Sequence, residues 1–433
     1  MTESLTHPDA VLTSEAAPLP AGTAPAVIRV RGATFGVTRV ALRRMTRALV
    51  LVTVAAASLE VMARIDDWLV YRTPFLSRIT SEEDLIVRDR LGMHGRPSVR
   101  FGKWEMNALG MRGPEAAVRA EAGTVRVATL GASETFGLYE SPGHEFPRQL
   151  EDTLNARLAE GACGARRPRR FEVLDAALPG MSLPTVEQDV RLRLSRFGLD
   201  VALYYPTPVQ YLENRPPVAA HPDTAPGAGR LPATHALYPR ALERVREDVK
   251  RLLPTPVLAY LRRRDAAAAV RAHPPGWRFD AVPTDRLSLY EHDLRRLLGT
   301  VRAAGATPAI ATHGDELMRD PRDRRRLLSA WERFYPRATG RTLVRFDAEA
   351  RAATLRVARD SGVAVADVAR ALTGASEEPF ADFVHFTDHG AGLAAGAMAD
   401  AVLAAARERG VCGAEAAPAA APAAAPAAAA GHR

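Results

Sequence analysis

From Val125 onward the chain repeats one pattern: a short apolar run rich in β-branched residues, then a longer stretch with helical spacing. The runs are Val125 to Leu130, Phe171 to Asp175, Val201 to Tyr205, Pro308 to Thr312 and Val363 to Val368. Helical spacing occupies Phe146 to Glu160, Val186 to Arg196, Leu287 to Ala304, Arg341 to Asp360 and the residues after Gly390. Apolar runs of this kind fit strands covered on both faces, and strands that alternate with helices build a parallel sheet. The alternation predicts an α/β fold, a three-layer α/β/α sandwich with a mainly parallel sheet.

Two junctions in this pattern carry chemistry. The first apolar run breaks into Gly131-Ala132-Ser133-Glu134-Thr135, which puts a serine at the carboxyl end of a strand, where open α/β sheets hold their ligands. Taken alone, small and hydroxyl residues there are most simply a turn. At the other end, Phe380 to Gly390 reads FADFVHFTDHG, so Asp382 and His385 share a short loop before the last helix. A carboxylate orients an imidazole and stabilises its protonated form, while the imidazole takes a proton from a serine hydroxyl.

On these residues the chain resembles the SGNH/GDSL hydrolases. GASETFG looks like their first conserved block, FEVLDAALPGMS their second, and Asp382-Phe383-Val384-His385 their closing D-x-x-H block. Asn107 to Pro114, NALGMRGP, resembles the lead-in of envelope-linked members. The resemblance implies a flavodoxin-like sheet and a serine esterase with Ser133, His385 and Asp382 as nucleophile, base and orienting acid. It nominates the backbone N–H groups of Ser133 and Gly180 for the oxyanion hole, and implies no cofactor and no metal.

The sequence departs from the family at two points. In the first block Ala132 stands where the family has aspartate and Glu134 follows the serine, and the asparagine of the third block is missing from Tyr204-Tyr205-Pro206-Thr207-Pro208-Val209-Gln210. Thr207, Gln210 or, further on, Asn214 is the candidate replacement donor. Tyr204, Tyr205 and Tyr211 suit a sugar-binding groove, although buried core tyrosines are the commoner case. The expected function is hydrolysis or transfer of acyl esters on carbohydrate or lipid of the cell envelope. The alternative is a catalytically weak or inactive scaffold of the same fold that binds glycans.

Other polar residues have plainer readings. His313, with Asp315 and Glu316, follows the fourth strand, where substrate contact or loop structure is expected rather than a metal site. Glu140, His144 and Glu145 are read as a solvated loop face, and His389 as a helix-start residue.

The net charge of +8 is carried almost wholly by arginine, spread through helical segments and interleaved with acids rather than with aromatic residues. That distribution excludes a nucleic-acid platform. Arg39, Arg43, Arg44 and Arg47 precede an uncharged run from Ala48 to Leu59. A signal anchor, a cleaved signal peptide and a surface amphipathic helix all compete for this run. The arginines favour the anchor, with the following domain outside the cytoplasm, periplasmic or at the cell surface. Cys163 and Cys412 are either two unrelated buried thiols or a disulfide, which an oxidising compartment permits.

The expected organisation follows. Residues 1–47 form a disordered basic terminus, 48–63 an anchor and 64–122 an extended approach. The hydrolase domain covers 123–410 with an insertion at about 206–285, and 411–433 is an Ala/Pro tail.

Overall fold

The computed structural model describes residues 26–30, 33–37, 39–213, 231, 236–319 and 323–413. Most of the two expected tails, and 214–230 and 232–235 of the expected insertion, with the candidate donor Asn214, lie outside the described residues. The chain divides into two compact units, Met1–Asp66 with Pro239–Arg244, and Asp67–Tyr238 with Val245–Arg433.

In the smaller unit β1 (Ala26–Val30) pairs antiparallel with β2 (Ala33–Val37), and α1 (Arg39–Tyr71) begins there. The uncharged run is the middle of this 33-residue helix, not a helix of its own. At about 1.5 Å per residue α1 is roughly 50 Å long, beyond the ~30 Å hydrocarbon core of a bilayer. Leu49, Val50, Leu51, Val52, Val54 and Leu59 are all exposed along it. Length and composition make α1 able to cross a membrane. Glu60, the one acid in its apolar half, pairs with Arg64 at 2.6 Å.

The larger unit is built on five parallel strands: β7 (Thr124–Leu130), β8 (Arg170–Asp175), β9 (Val201–Tyr204), β10 (Thr307–Ala311) and β11 (Ala364–Ala366). They lie in the order β11-β10-β9-β7-β8, which is the flavodoxin-like order. Alternate residues of each strand face opposite layers. Val125 and Val127 pack with α3 (Phe146–Ala159) and α11 (Asp388–Glu408). Ala128 and Leu130 pack with α4 (Leu183–Leu192), α7 (Thr284–Ala303) and α9 (Gly340–Asp360). The expected three-layer α/β/α sandwich is thus the observed one. α11 is also apolar enough to span a bilayer, but it is largely buried against the sheet and serves as a core helix.

One segment differs from expectation. The stretch at 64–122, expected to be an extended approach, folds into two hairpins. One joins β3 (Ile86–Asp89) to β4 (Gly92–Gly95), the other β5 (Val99–Phe101) to β6 (Trp104–Met106). Its Leu85, Met93, Met106 and Met111 are buried in the sheet's own core cluster. Such a stretch contributes to the core instead of leading to it. Within the expected insertion, α5 (Arg240–Leu252) and α6 (Thr255–Arg271) are helical, and α6 packs on α8 (Arg324–Phe334). α10 (Val368–Thr373) completes the order.

Candidate active site

The strand order reverses between β7 and β9, and open sheets bind their ligands at the carboxyl edge of that switch point. Ser133 stands there, the first residue of the single-turn helix α2 (Ser133–Phe136). The chain makes this turn because position 131 has room for no side chain. A Cβ on Gly131 would lie 2.0 Å from Thr135 Oγ1 and 2.9 Å from the Tyr205 carbonyl. Gly137, at φ 77°, closes the turn in the left-handed region and donates its N–H to the Ser133 carbonyl at 3.1 Å.

The Asp382–His385 loop is closed by the Ala381 N–H on the His385 carbonyl at 2.8 Å and the Thr387 N–H on the Pro379 carbonyl at 3.0 Å. Inside it Asp382 makes an Asx turn. Its Oδ1 accepts the Val384 and His385 N–H groups, both at 2.9 Å. That leaves Oδ2 for the ring, 2.8 Å from His385 Nδ1. A carboxylate only accepts, so Nδ1 carries the proton and Nε2 presents its lone pair to Ser133 Oγ, 2.9 Å away. Ser133 and the distant Asp382–His385 loop thus meet in one hydrogen-bonded line.

The environment sets their charges. Burial opposes the His385 cation, but the hydrogen bond and charge of Asp382, reinforced by Glu134 and Glu140, outweigh it and raise the imidazole pKa. Burial likewise opposes the Asp382 anion, and His385 and the two backbone N–H groups more than offset it, so the carboxyl lies below its usual range. The exposed ring of Tyr139 stands edge-on to the imidazole with centroids 5.1 Å apart. Gly180 sits in an exposed turn at φ 79°, and the Ser133 N–H belongs to the first turn of α2, where no intrahelical acceptor exists.

The third-block residues take other roles. The Thr207 hydroxyl faces both oxygens of Glu134, at 3.2 and 3.1 Å, so its single proton is committed to that carboxylate. Gln210 lines a separate cavity of ≈ 260 Å³ with Ser182, Pro184 and Arg286. The sugar-groove reading of the tyrosines fails, because Tyr204, Tyr205 and Tyr211 are buried in the core. Tyr211 donates to Asp293 at 2.7 Å, and Tyr205 accepts the Gly314 N–H at 3.1 Å. A larger cavity, ≈ 820 Å³, is lined by Arg72, Arg78, Arg96 and Arg100 and by no member of the Ser133 line, so chemistry rather than volume picks the site.

Three further groups surround this line. Arg112, from the NALGMRGP stretch, is buried; its guanidinium donates to the carbonyls of Phe136 and Gly137 and faces Glu145 at 3.4 Å. It clamps the turn that carries Ser133. Glu145 and Glu140 are therefore not a solvated face, as both are buried; His144 alone of the three is exposed. Burial lifts the Glu140 carboxyl to about 7, against the pull of Arg112 and nearby N–H groups. His313 contacts no solvent: Nδ1 lies 2.6 Å from Asp347 and Nε2 3.8 Å from Glu134. His389 is exposed at the start of α11, as expected.

No family model and no curated protein matches this chain. Solved structures do. One carries the name SGNH hydrolase, from Slackia heliotrinireducens, with 18% identity over 64% of this chain and 99% of that one, TM-score 0.33. A lipase/acylhydrolase from Enterococcus faecalis matches at 10% identity over 65% and 96%, TM-score 0.36. The acetyl xylan esterase AlAXEase matches at 10% over 64% and 100%, TM-score 0.35. The α/β fold itself rests on the strand order, and the site on its own geometry.

Proposed function

We propose that this chain is a membrane-anchored serine esterase, an acyl hydrolase or acyl transferase acting on acylated carbohydrate or lipid of the cell envelope. The observation that carries the reading is the continuous line Ser133–His385–Asp382, 2.9 and 2.8 Å between partners, at the switch point of the sheet. Ser133 Oγ attacks the ester carbonyl while its proton passes to His385 Nε2, and Asp382 stabilises the imidazolium. The tetrahedral oxyanion faces the N–H groups of Ser133 and Gly180, each worth about a hundredfold or more in rate. Collapse breaks the bond to the leaving alcohol, which takes the proton from His385 and leaves an acyl-serine. Water, or an acceptor hydroxyl for transfer, then attacks with His385 again as base.

The envelope setting is supported by α1, by the arginines at its start, and by the bond between Cys163 and Cys412, which an oxidising compartment maintains. An intact hydrogen-bonded line weighs against the scaffold alternative. The test is labelling by a fluorophosphonate together with turnover of a short-chain acyl ester, in the full chain and in Ser133→Ala. Labelling and turnover that vanish in Ser133→Ala support the reading; equal activity in both refutes it. A reporter after Arg433 that is active in the cytoplasm would overturn the proposed location.

A further inference from the structure

The residue after the nucleophile is a buried acid, and it does not stand alone. Glu134 Oε2 lies 3.3 Å from Ser133 Oγ, while His385 Nε2 lies 2.9 Å from that same oxygen. Behind it the charges alternate. Glu134 is followed by His313 at 3.8 Å, His313 by Asp347 at 2.6 Å, and Asp347 by Arg351 at 2.6 Å. Arg351 also donates to the His313 carbonyl at 2.8 Å and to Asp315 at 3.2 Å. Glu134, His313 and Asp347 are buried almost completely. An isolated buried carboxylate would take up a proton, and an isolated buried imidazole would lose one. Here each supports the other's charge. Burial works against the His313 cation, but Asp347 and Glu134 raise its pKa to about 10. Contact with His313 in turn holds Glu134 ionised against its own burial.

Resting on the esterase reading, we infer that Glu134 is a positioning residue for the Ser133–His385 pair: a second fixed negative charge, locked by His313, Asp347 and Arg351, that holds the Ser133 hydroxyl and stabilises the His385 imidazolium. The single proton of Ser133 is then shared between two acceptors, and the imidazolium formed on attack lies between two carboxylates, Asp382 from its own loop and Glu134 from α2. Thr207 keeps the Glu134 carboxylate in place from the β9 side. His313 offsets the anion, so the charge supports the base without a bare negative group beside the developing oxyanion. The other titratable groups around the imidazole are Glu140 and the neutral phenol of Tyr139 on the loop after α2, and Arg262 on α6, which is within electrostatic range of Asp382.

The experiment follows the ring resonances of His385 by NMR in full-length chain with labelled histidine, assigned by loss of the signal in His385→Ala. This readout needs no substrate, so its outcome is separate from that of the ester assay. In Glu134→Gln the His385 transition falls by about one unit, because a nearby anion is gone and His313 remains. Glu134→Asp, which keeps the charge, stays within about 0.3 unit of wild type. Ester kinetics then show the acid limb of kcat/KM moving down with the same shift, and kcat dropping more than KM changes. If Glu134→Gln does not fold, Glu134→Ala carries the same expectation. A His385 transition unmoved in a folded Gln or Ala variant overturns the inference, as does a fall in Glu134→Asp equal to that in Glu134→Gln.

Discussion

Replacing both Cys163 and Cys412 by serine should cost stability without slowing catalysis. The bond closes a loop with a sequence separation of 249 residues. The chain-entropy relation gives about 5.5 kcal/mol for a loop of that size, and bonds of this kind typically deliver roughly 2–4 kcal/mol. The packing between α3 and α11 survives the change, held also by Arg157 on Asp400 and by Arg407 on the Ala162 carbonyl at 2.9 Å. The expected loss is therefore about 2–5 kcal/mol. At roughly 2 °C per kcal/mol for a unit of this size, the melting temperature falls by about 4–10 °C. Catalysis is insulated by distance. The cysteines join the far ends of the helices whose near ends follow the Ser133 and His385 loops, and α11 has 21 residues. At ~1.5 Å per residue the bond is about 30 Å from His385, so kcat stays within about twofold. Circular dichroism melting of both forms in the same detergent, beside ester kinetics well below either transition, reads both quantities. A melting temperature within about 1 °C of wild type would falsify the stability argument. A fall in kcat of tenfold in a folded variant would refute the claim that the bond is remote from the chemistry.

Other outcomes follow from the same structure. Catalysis needs a neutral His385, and its pKa is raised above 6.5, so kcat/KM should rise with pH and reach its plateau only above that value. A rate already flat from well below 6.5 would contradict the geometry. The same raised pKa stabilises the fold fully below 6.5, and that contribution fades as pH climbs through the folded value. Arg112→Ala should cost about 3–5 kcal/mol, because Glu145 is left buried without its cation, and urea titration with a midpoint near wild type would count against the clamp. Gly131→Ala forces a Cβ to within 2.0 Å of Thr135 and 2.9 Å of backbone, so a soluble variant with normal kcat would exclude the tight turn.

Much of this was legible because it depends on local pattern. The five strands appeared as apolar runs since both faces of the sheet are covered, and their observed ends lie within a residue or two of the expected ones. Ser133, Asp382 and His385 were legible because each sits at a break in that pattern. What escaped is what needs distant partners. Glu134 looked like a departure from a motif until Thr207 and His313 were seen around it, from β9 and β10, which no spacing rule connects. Glu140 and Glu145 read as solvated because a charged loop usually is, and only Arg112, reached through another fold of the chain, explains Glu145's burial. The same holds for the stretch at 64–122, whose hairpins are too short to give a periodic signal.

Arg112 also has a consequence for how the protein could be set free from its helix. The chain from Leu85 to Gly113 holds the Ser133 turn from behind, and its Gly95 and Gly110 touch so closely that a Cβ on either would lie 2.2 Å from the other's carbonyl oxygen. A protease acting at the exposed Pro74, Phe75 and Leu76 would leave this brace covalently attached to the sheet that carries Ser133. A cut a few dozen residues later would sever the covalent link between the sheet and the hairpins, whose Leu85, Met93 and Met106 share its core. Release with or without a covalently attached brace would then be decided by the same short stretch of chain, according to which side of the hairpins is severed.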